Sequence, residues 1–245
     1  MYIKRLGPGK TELWVSDVDG ANHIKLASGS LSSGDWSPDS SQLTFLDYSG
    51  SKRKLYAVRA DGRDLREIGR AEGLTGFTAW SADGKSLYLS VMKMGEKPTI
   101  WKVNADGSRL EKFLDEGCFL TDASPTGNYL LGVILRGKQV GIYEISISSR
   151  QIVPLLLGVE TVMARFAPGG KSLLYTLISR SEVTFYRQDW RDGQLLGKPQ
   201  VALRLPFAIH EYSSVFTYGF SRDLSTIVYS RPGGQADLYF LSDVP

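Results

Sequence analysis

The sequence predicts an all-β protein, a six-bladed β-propeller made of four-stranded antiparallel blades. Three observations predict it: a repeat of about 43 residues, segments rich in strand-forming residues without helical periodicity, and Gly, Pro and Asp between those segments. A period of this length is typical of propeller blades. One such sheet cannot bury both faces alone, so neighbouring repeats must stack around an axis.

The first element of the repeat is an aromatic or small residue, then Ser or Ala, a turn and a β-rich run. It begins at Trp36, Trp80, Ala123, Phe166 and Phe220. The β-rich run is the second strand of a blade and is expected to form a hairpin with the third, as residues 42–47 do with 54–59. Asp-Gly pairs at 61–62, 106–107 and 192–193 suit tight turns that need a positive φ.

The number of blades depends on how the ring closes. The third-strand element occurs six times and the first element five times. Residues 1–6 align with a second strand, so the first blade is expected to lack its innermost strand, and the last blade ends near Leu241, after its third strand. Six blades with an incomplete seam blade are therefore expected, as a single domain over residues 1–245. Five blades closed by strands from both ends are the alternative.

The repeats at Trp36 and Trp80, each followed by a Tyr- or Trp-containing strand and Asp-Gly, resemble the repeat of TolB-like, WD-like β-propellers. The segments from Glu182 and Phe220 are also similar to the ends of propellers attached to bacterial serine/threonine kinases. That resemblance implies a sensor or scaffold domain of a bacterial signalling system, with a kinase domain or subunit encoded upstream as its partner. It implies an extracytoplasmic place if the chain is part of a receptor kinase, and a cytoplasmic one otherwise.

The composition and the missing motifs argue against most enzyme classes. A single cysteine and two histidines leave little material for a metal site, and no Gly-x-Ser-x-Gly, His-Arg-Asp or Asp-Phe-Gly motif occurs. The net charge of +3 is too small to indicate nucleic-acid binding. No apolar stretch approaches the roughly 20 residues of a membrane helix. We therefore expect no catalytic residue, cofactor, metal, nucleic-acid partner or membrane insertion.

Charged loops on one face of the predicted propeller are the candidate ligand site. In this fold the links that enter the innermost strands share a face with the hairpins between the second and third strands. Acidic residues in the links are expected near the channel mouth: Glu72, Asp115, Glu116, Glu160 and Glu211. Basic residues in the hairpins are expected to form an outer ring: Lys52, Arg53, Lys93, Arg136, Lys138, Arg180 and Arg231. The electrostatic field of such clustered charges attracts a polar ligand. The alternative, that these loops are charged only to keep the protein soluble, stays open.

Three further charged residues, Asp35, Asp122 and Arg165, each directly precede the residue that begins a repeat. This position predicts that they line the channel as part of the ligand site. They could equally pair with one another between blades, since buried charges need partners.

Two functions follow from these patterns. The first is a non-catalytic binding or scaffold propeller that offers its loop-rich face to a protein, a peptide or a small polar ligand. The alternative is a metal-dependent, lactonase-like hydrolase that uses carboxylates at the channel mouth. The scarcity of histidine favours the binding module.

Overall fold

The computed structural model describes residues 1–17, 19–137, 139–158, 163–179, 182–206, 218–220, 226–230 and 238–242. The strands within these ranges are β1 (Tyr2–Gly7), β2 (Lys10–Val15), β3 (Ile24–Gly29), β4 (Leu31–Trp36), β5 (Gln42–Asp47), β6 (Arg53–Arg59), β7 (Arg66–Ala71), β8 (Leu74–Trp80), β9 (Ser86–Val91), β10 (Thr99–Asn104), β11 (Glu111–Leu114), β12 (Cys118–Ala123), β13 (Tyr129–Arg136), β14 (Gln139–Ser146), β15 (Ile152–Leu157), β16 (Ala164–Phe166), β17 (Ser172–Ile178), β18 (Glu182–Arg191), β19 (Gln194–Pro206), β20 (Tyr218–Phe220), β21 (Thr226–Ser230) and β22 (Leu238–Ser242).

These strands form six antiparallel sheets in which neighbours in sequence are neighbours in space. Four sheets have four strands, in the orders β4-β5-β6-β7, β8-β9-β10-β11, β12-β13-β14-β15 and β16-β17-β18-β19. Two have three strands, β1-β2-β3 and β20-β21-β22. The predicted all-β propeller of antiparallel meanders is confirmed, and six sheets are compatible with the expected six blades.

The turn after the inner strand is held, in the repeats that begin at Trp36 and Trp80, by a hydrogen bond network that starts at the Ser of the repeat. Ser37 donates its hydroxyl to Asp39 Oδ1 at 2.6 Å and accepts the backbone N–H of Gln42 at 3.0 Å. Ser81 donates to Asp83 at the same distance in the next blade. The Ser37 hydroxyl and Ser41 hold the pKa of Asp39 at about 2. The Ser and Asp of the Trp-Ser-x-Asp pattern therefore stabilise this turn.

The Asp-Gly pairs have the backbone geometry that the sequence predicts. Gly62 and Gly107 have φ angles of 82° and 87°, and both Asp192 and Gly193 have positive φ, at 46° and 78°. A pair of residues with positive φ matches the right-handed twist of a two-residue hairpin, here the one that joins β18 to β19.

Apolar side chains fill the space between neighbouring sheets. Trp80 packs with Leu46 and Leu55 of the preceding sheet, and Trp190 packs edge-on against Phe166 and against Tyr129 of the sheet before it. Each large buried cluster joins two successive sheets in this way. The recurring aromatic residues of the repeat therefore contribute to packing between blades, as their periodicity indicates.

Candidate functional site

The links into the inner strands and the hairpins between second and third strands lie together, on what we call the link face. The backbone N–H of Tyr48, which begins the β5–β6 hairpin, donates to the Ser30 carbonyl just before β4 at 2.8 Å. Met92, in the β9–β10 hairpin, donates in the same way to Gly73, just before β8, at 2.7 Å. The shared face assumed in the sequence argument is therefore present.

The acidic residues of the links differ in what they contact. Glu72 and Glu116 are exposed. Asp115 lies beside two lysines: Lys97 Nζ is 2.7 Å from its backbone carbonyl and 3.9 Å from Oδ1, and Lys112 Nζ is 3.3 Å from Oδ2. The charge of Asp115 is thus largely balanced by its neighbours.

Among the predicted basic ring, Lys52 and Lys93 are exposed on their hairpins. The two arginines of the ring within the described ranges, Arg53 and Arg136, have local partners. The Arg53 guanidinium donates to the Leu74 carbonyl and lies 4.6 Å from the centre of the Tyr48 ring. Five of the predicted site residues lie outside the described residues: Lys138, Glu160, Arg180, Glu211 and Arg231.

Arg136 is exposed at the end of β13, and its guanidinium lies 5.3 Å from the centre of the Tyr143 ring. A cation over an aromatic face is attracted by the ring quadrupole. Arg53 and Arg136 therefore contribute local packing on the link face, and a ligand role for the basic ring stays a prediction.

Asp35, Asp122 and Arg165 come together in what we call the channel cluster. They belong to β4, β12 and β16, the first strands of three different sheets. Arg165 Nη1 lies 4.0 Å from Asp35 Oδ1, although two whole sheets separate β4 from β16 along the chain. In a ring of six blades this contact crosses the central axis. Asp122 Oδ2 accepts the backbone N–H of Phe166 at 2.7 Å, which ties it to the same region.

Burial governs the charge of this cluster. It raises the pKa of Asp35, and it raises that of Asp122 to about 7, where the Arg165 guanidinium opposes the shift and the Asp35 carboxylate adds to it. The side chains of Arg165 and Asp35 nevertheless keep 29% and 23% of their surface accessible. Two carboxyl groups therefore share one guanidinium at a solvent-accessible position.

An aromatic pair lies on the inner strands of two neighbouring sheets. The rings of Phe77, on β8, and Phe119, on β12, have centres 5.9 Å apart, and 39% of Phe77 is exposed. Other large apolar side chains are exposed where their strands or hairpins reach the link face: Leu6, Met92, Met94, Leu135 and Leu157. We call these residues with Phe77 the apolar rim. Regular spacing assigns the aromatic residues of the repeat to the core and does not reveal this exposed set.

In the part of the chain that the structure describes, no three His, Cys, Asp or Glu side chains form a group that could hold a metal ion. Cys118 is buried on β12, and burial raises the pKa of its thiol to about 12. No helix in these ranges is long and apolar enough to cross a membrane.

Comparison with known families gives a direct match over most of the chain. The family described as the TolB beta propeller domain matches residues 1–198. The chain belongs to this family. The predicted resemblance to TolB-like propellers is thus confirmed.

Individual relatives of this TolB-family propeller match over part of their own length. The Tol-Pal system protein TolB of Anaeromyxobacter dehalogenans is 32% identical over 124 residues, which are 50% of this chain and 28% of that protein. The match therefore covers less than a third of the relative. The crystal structure of TolB from Acinetobacter baumannii matches with a TM-score of 0.78 and 19% identity, over 95% of this chain and 57% of its own.

The fold is also shared with an enzyme. Oligogalacturonate lyase from Vibrio parahaemolyticus matches with a TM-score of 0.57 and 11% identity, over 96% of this TolB-family chain and 82% of its own. At these identities the solved structures show the fold alone. Function has to be argued from the site.

Proposed function

We propose that this chain is a non-catalytic binding propeller whose link face receives a segment of a partner protein. The observation that carries the proposal is the apolar rim, to which Phe77 belongs. Soluble proteins rarely leave several large apolar side chains exposed on one face unless that face contacts another molecule. Membership of the TolB family supports it, because the relative is a component of the Tol-Pal system.

The composition of the rim suits a protein partner better than a small polar ligand. Met94 is fully exposed and Met92 is 42% exposed, on one hairpin. Methionine adapts its shape to irregular apolar surfaces, and aromatic residues such as Phe77 supply much of the binding energy at interfaces. The charged groups nearby would then orient the partner.

A role in a bacterial signalling system, with a kinase domain or subunit as the partner, is a narrower proposal. It is supported only by the resemblance of the segments from Glu182 and Phe220 to kinase-linked propellers. The Tol-Pal relative supports a protein partner in general.

The alternative, a metal-dependent hydrolase, has less support from the channel cluster. A catalytic cation would need Asp35 and Asp122 as ligands, and the Arg165 guanidinium already supplies the positive charge beside both. A second cation there would meet like-charge repulsion. The binding function is therefore preferred.

Phe77→Ala is expected to weaken binding of the partner by about tenfold or more, because it removes an exposed aromatic ring from the rim. The measurement is calorimetric titration of the chain with each soluble protein of a bacterial Tol-Pal system in turn. Leu196→Ala is the matched control, because Leu196 is equally exposed, at 38% against 39%, but lies at the start of β19, next to the β18–β19 turn.

Turns between third and fourth strands lie on the opposite face, so Leu196→Ala should change affinity by less than about twofold. Thermal unfolding of both variants checks that the fold is intact. Equal losses in the two variants, or none in Phe77→Ala, would contradict binding through the link face.

A further inference from the structure

A cleft in the sheet β8-β9-β10-β11 brings an aromatic ring together with several charged groups. It has a volume of about 330 Å³, at the lower end of the range of small-molecule sites. Trp101 and Thr99 line it from β10. The charged groups come from the β9–β10 hairpin, from β11 and from the link after β11: Lys93, Glu96, Lys97, Lys112 and Asp115.

Strand register fixes the aromatic wall of this cleft. On β9, Val91 lies opposite Thr99. Leu89 lies opposite Trp101, so all four side chains point to the same side of the sheet. Trp101 packs against the apolar cluster that contains Leu89 and Val91, and its indole N–H donates to Thr99 Oγ1 at 3.0 Å. Because Trp101 is only partly buried, some of its ring surface stays accessible along the cleft.

Lysines outnumber carboxylates along the cleft. Lys112 Nζ is 3.3 Å from Asp115 Oδ2, and Lys97 Nζ donates to the Asp115 backbone carbonyl at 2.7 Å. These contacts occupy part of the three N–H donors that each ammonium group has. Lys93 and Glu96 complete the lining, so that three ammonium groups stand against two carboxylates. The cleft therefore has a surplus of one positive charge.

We propose that this cleft binds a sugar acid, a pyranose ring with a single carboxylate, either free or as a residue of a polysaccharide. The ligand carboxylate accepts charge-assisted hydrogen bonds from Lys93 and Lys97. Ring hydroxyls donate to the carboxylates of Glu96 and Asp115, and the apolar face of the sugar lies on Trp101. The inference goes beyond the proposed function, because the cleft shares no residue with the apolar rim or the channel cluster.

Other small ligands use fewer features of the cleft. A phosphate group carries nearly two negative charges, and the second would be repelled by the Glu96 and Asp115 carboxylates. Acetate, or an acidic side chain of a protein, matches the surplus charge but uses neither the aromatic wall nor the hydrogen bond acceptors. A neutral sugar uses both of these and leaves the surplus charge unmatched. Of these ligands, the sugar acid is the one that uses all three features.

The experiment is an NMR titration of the full chain with glucuronate, glucose and acetate, followed through the indole N–H signals of its five tryptophans. The Trp101 signal, assigned with Trp101→Phe, should shift with glucuronate, because its N–H bonds Thr99 on the cleft wall. The signal of Trp190, on β18, should not shift. We expect a Kd on the order of 1 mM for a single sugar, with glucose and acetate at least about tenfold weaker.

The methyl glycoside of glucuronate distinguishes the two sources of the ligand, because its methyl group marks the point where a polysaccharide would continue. Equal affinity for the glycoside indicates a residue within a polysaccharide. Loss of affinity indicates the free sugar acid.

The double variant Lys93→Gln and Lys97→Gln should weaken glucuronate binding by about tenfold or more. Lys10→Gln with Lys52→Gln is the matched control, because it removes the same charge from exposed lysines at the β1–β2 and β5–β6 hairpins. It should change the affinity by less than about twofold. Phe77→Ala should leave glucuronate affinity unchanged, so that this inference and the proposed function fail separately.

Three results would overturn the sugar-acid site. The first is a Trp101 signal that does not shift at about 20 mM glucuronate, where a millimolar site is nearly saturated. The second is acetate binding as tightly as glucuronate, which would indicate a site for any carboxylate, including an acidic side chain. The third is an equal effect of the two double variants.

Discussion

Gly73→Ala is expected to lower the free energy of unfolding by about 3 kcal/mol. Gly73 has a φ of +78°, which residues with a side chain rarely adopt. A Cβ at this position would also lie 2.5 Å from the carbonyl oxygen of Met92, whose N–H donates to Gly73. The new atom would push the link into β8 away from the β9–β10 hairpin, and both belong to the link face.

Gly95→Ala is the matched control for this variant. Gly95 has almost the same φ, +77°, but a Cβ there would meet nothing within 4 Å. Gly95→Ala should therefore lower the free energy of unfolding only through its backbone conformation, by about 1 kcal/mol. Urea unfolding of the two variants and the parent gives the comparison. Equal losses would show that contact with Met92 adds nothing, and the proposed tight packing of link against hairpin would be wrong.

Glu144→Gln is expected to stabilise the protein at pH 8 by up to about 3 kcal/mol. Glu144 lies on β14 with 4% of its surface exposed, and burial raises its pKa to about 7 from an ordinary 4.5. The nearby Trp190 indole opposes the shift, and the Asp192 carboxylate adds to it. An ionised carboxylate is therefore costly in the folded state, and a neutral amide of the same shape avoids that cost.

The sign of the pH dependence follows from this raised pKa. Below pH 4.5 the carboxyl is protonated in both the folded and the unfolded state and contributes no difference. As the pH rises from 4.5 to 7 the unfolded state ionises first and the folded state loses stability; above 7 the loss is constant. The gain from Glu144→Gln should therefore be near zero at pH 4 and full at pH 8.

Melting temperatures at the two pH values measure this effect. Glu67→Gln is a suitable control, because the Arg70 guanidinium lowers the pKa of Glu67, and its removal should give no gain at pH 8. A gain from Glu144→Gln that is the same at pH 4 and pH 8 would contradict a role for ionisation.

The fold could be predicted because its determinants are local. The Ser37–Asp39 turn, the repeated Asp-Gly pairs and the alternating strands all lie within one repeat and recur along the chain. The channel cluster could also be predicted, since Asp35, Asp122 and Arg165 hold the same position in their repeats. Radial closure then brings residues at that position to the axis.

The apolar rim could not be predicted, because exposure depends on the register of each inner strand. In β8 the pairing with β9 shifts between Leu74 and Thr78, so simple alternation does not give the side chain direction of Phe77. The local partners of Arg53 were missed for a similar reason: Leu74 belongs to the following sheet, and sequence spacing does not show that contact.

The most direct test of partner binding through the link face is site-specific photo-crosslinking. A benzophenone-bearing amino acid replaces Met94, which is fully exposed on the β9–β10 hairpin, or Leu65, which is 50% exposed before β7. Each variant is irradiated with the soluble Tol-Pal system protein that binds in the calorimetric titration. Binding through the link face predicts an adduct from position 94 and none from position 65. An adduct from position 65 alone would contradict it and would place the partner on the opposite face.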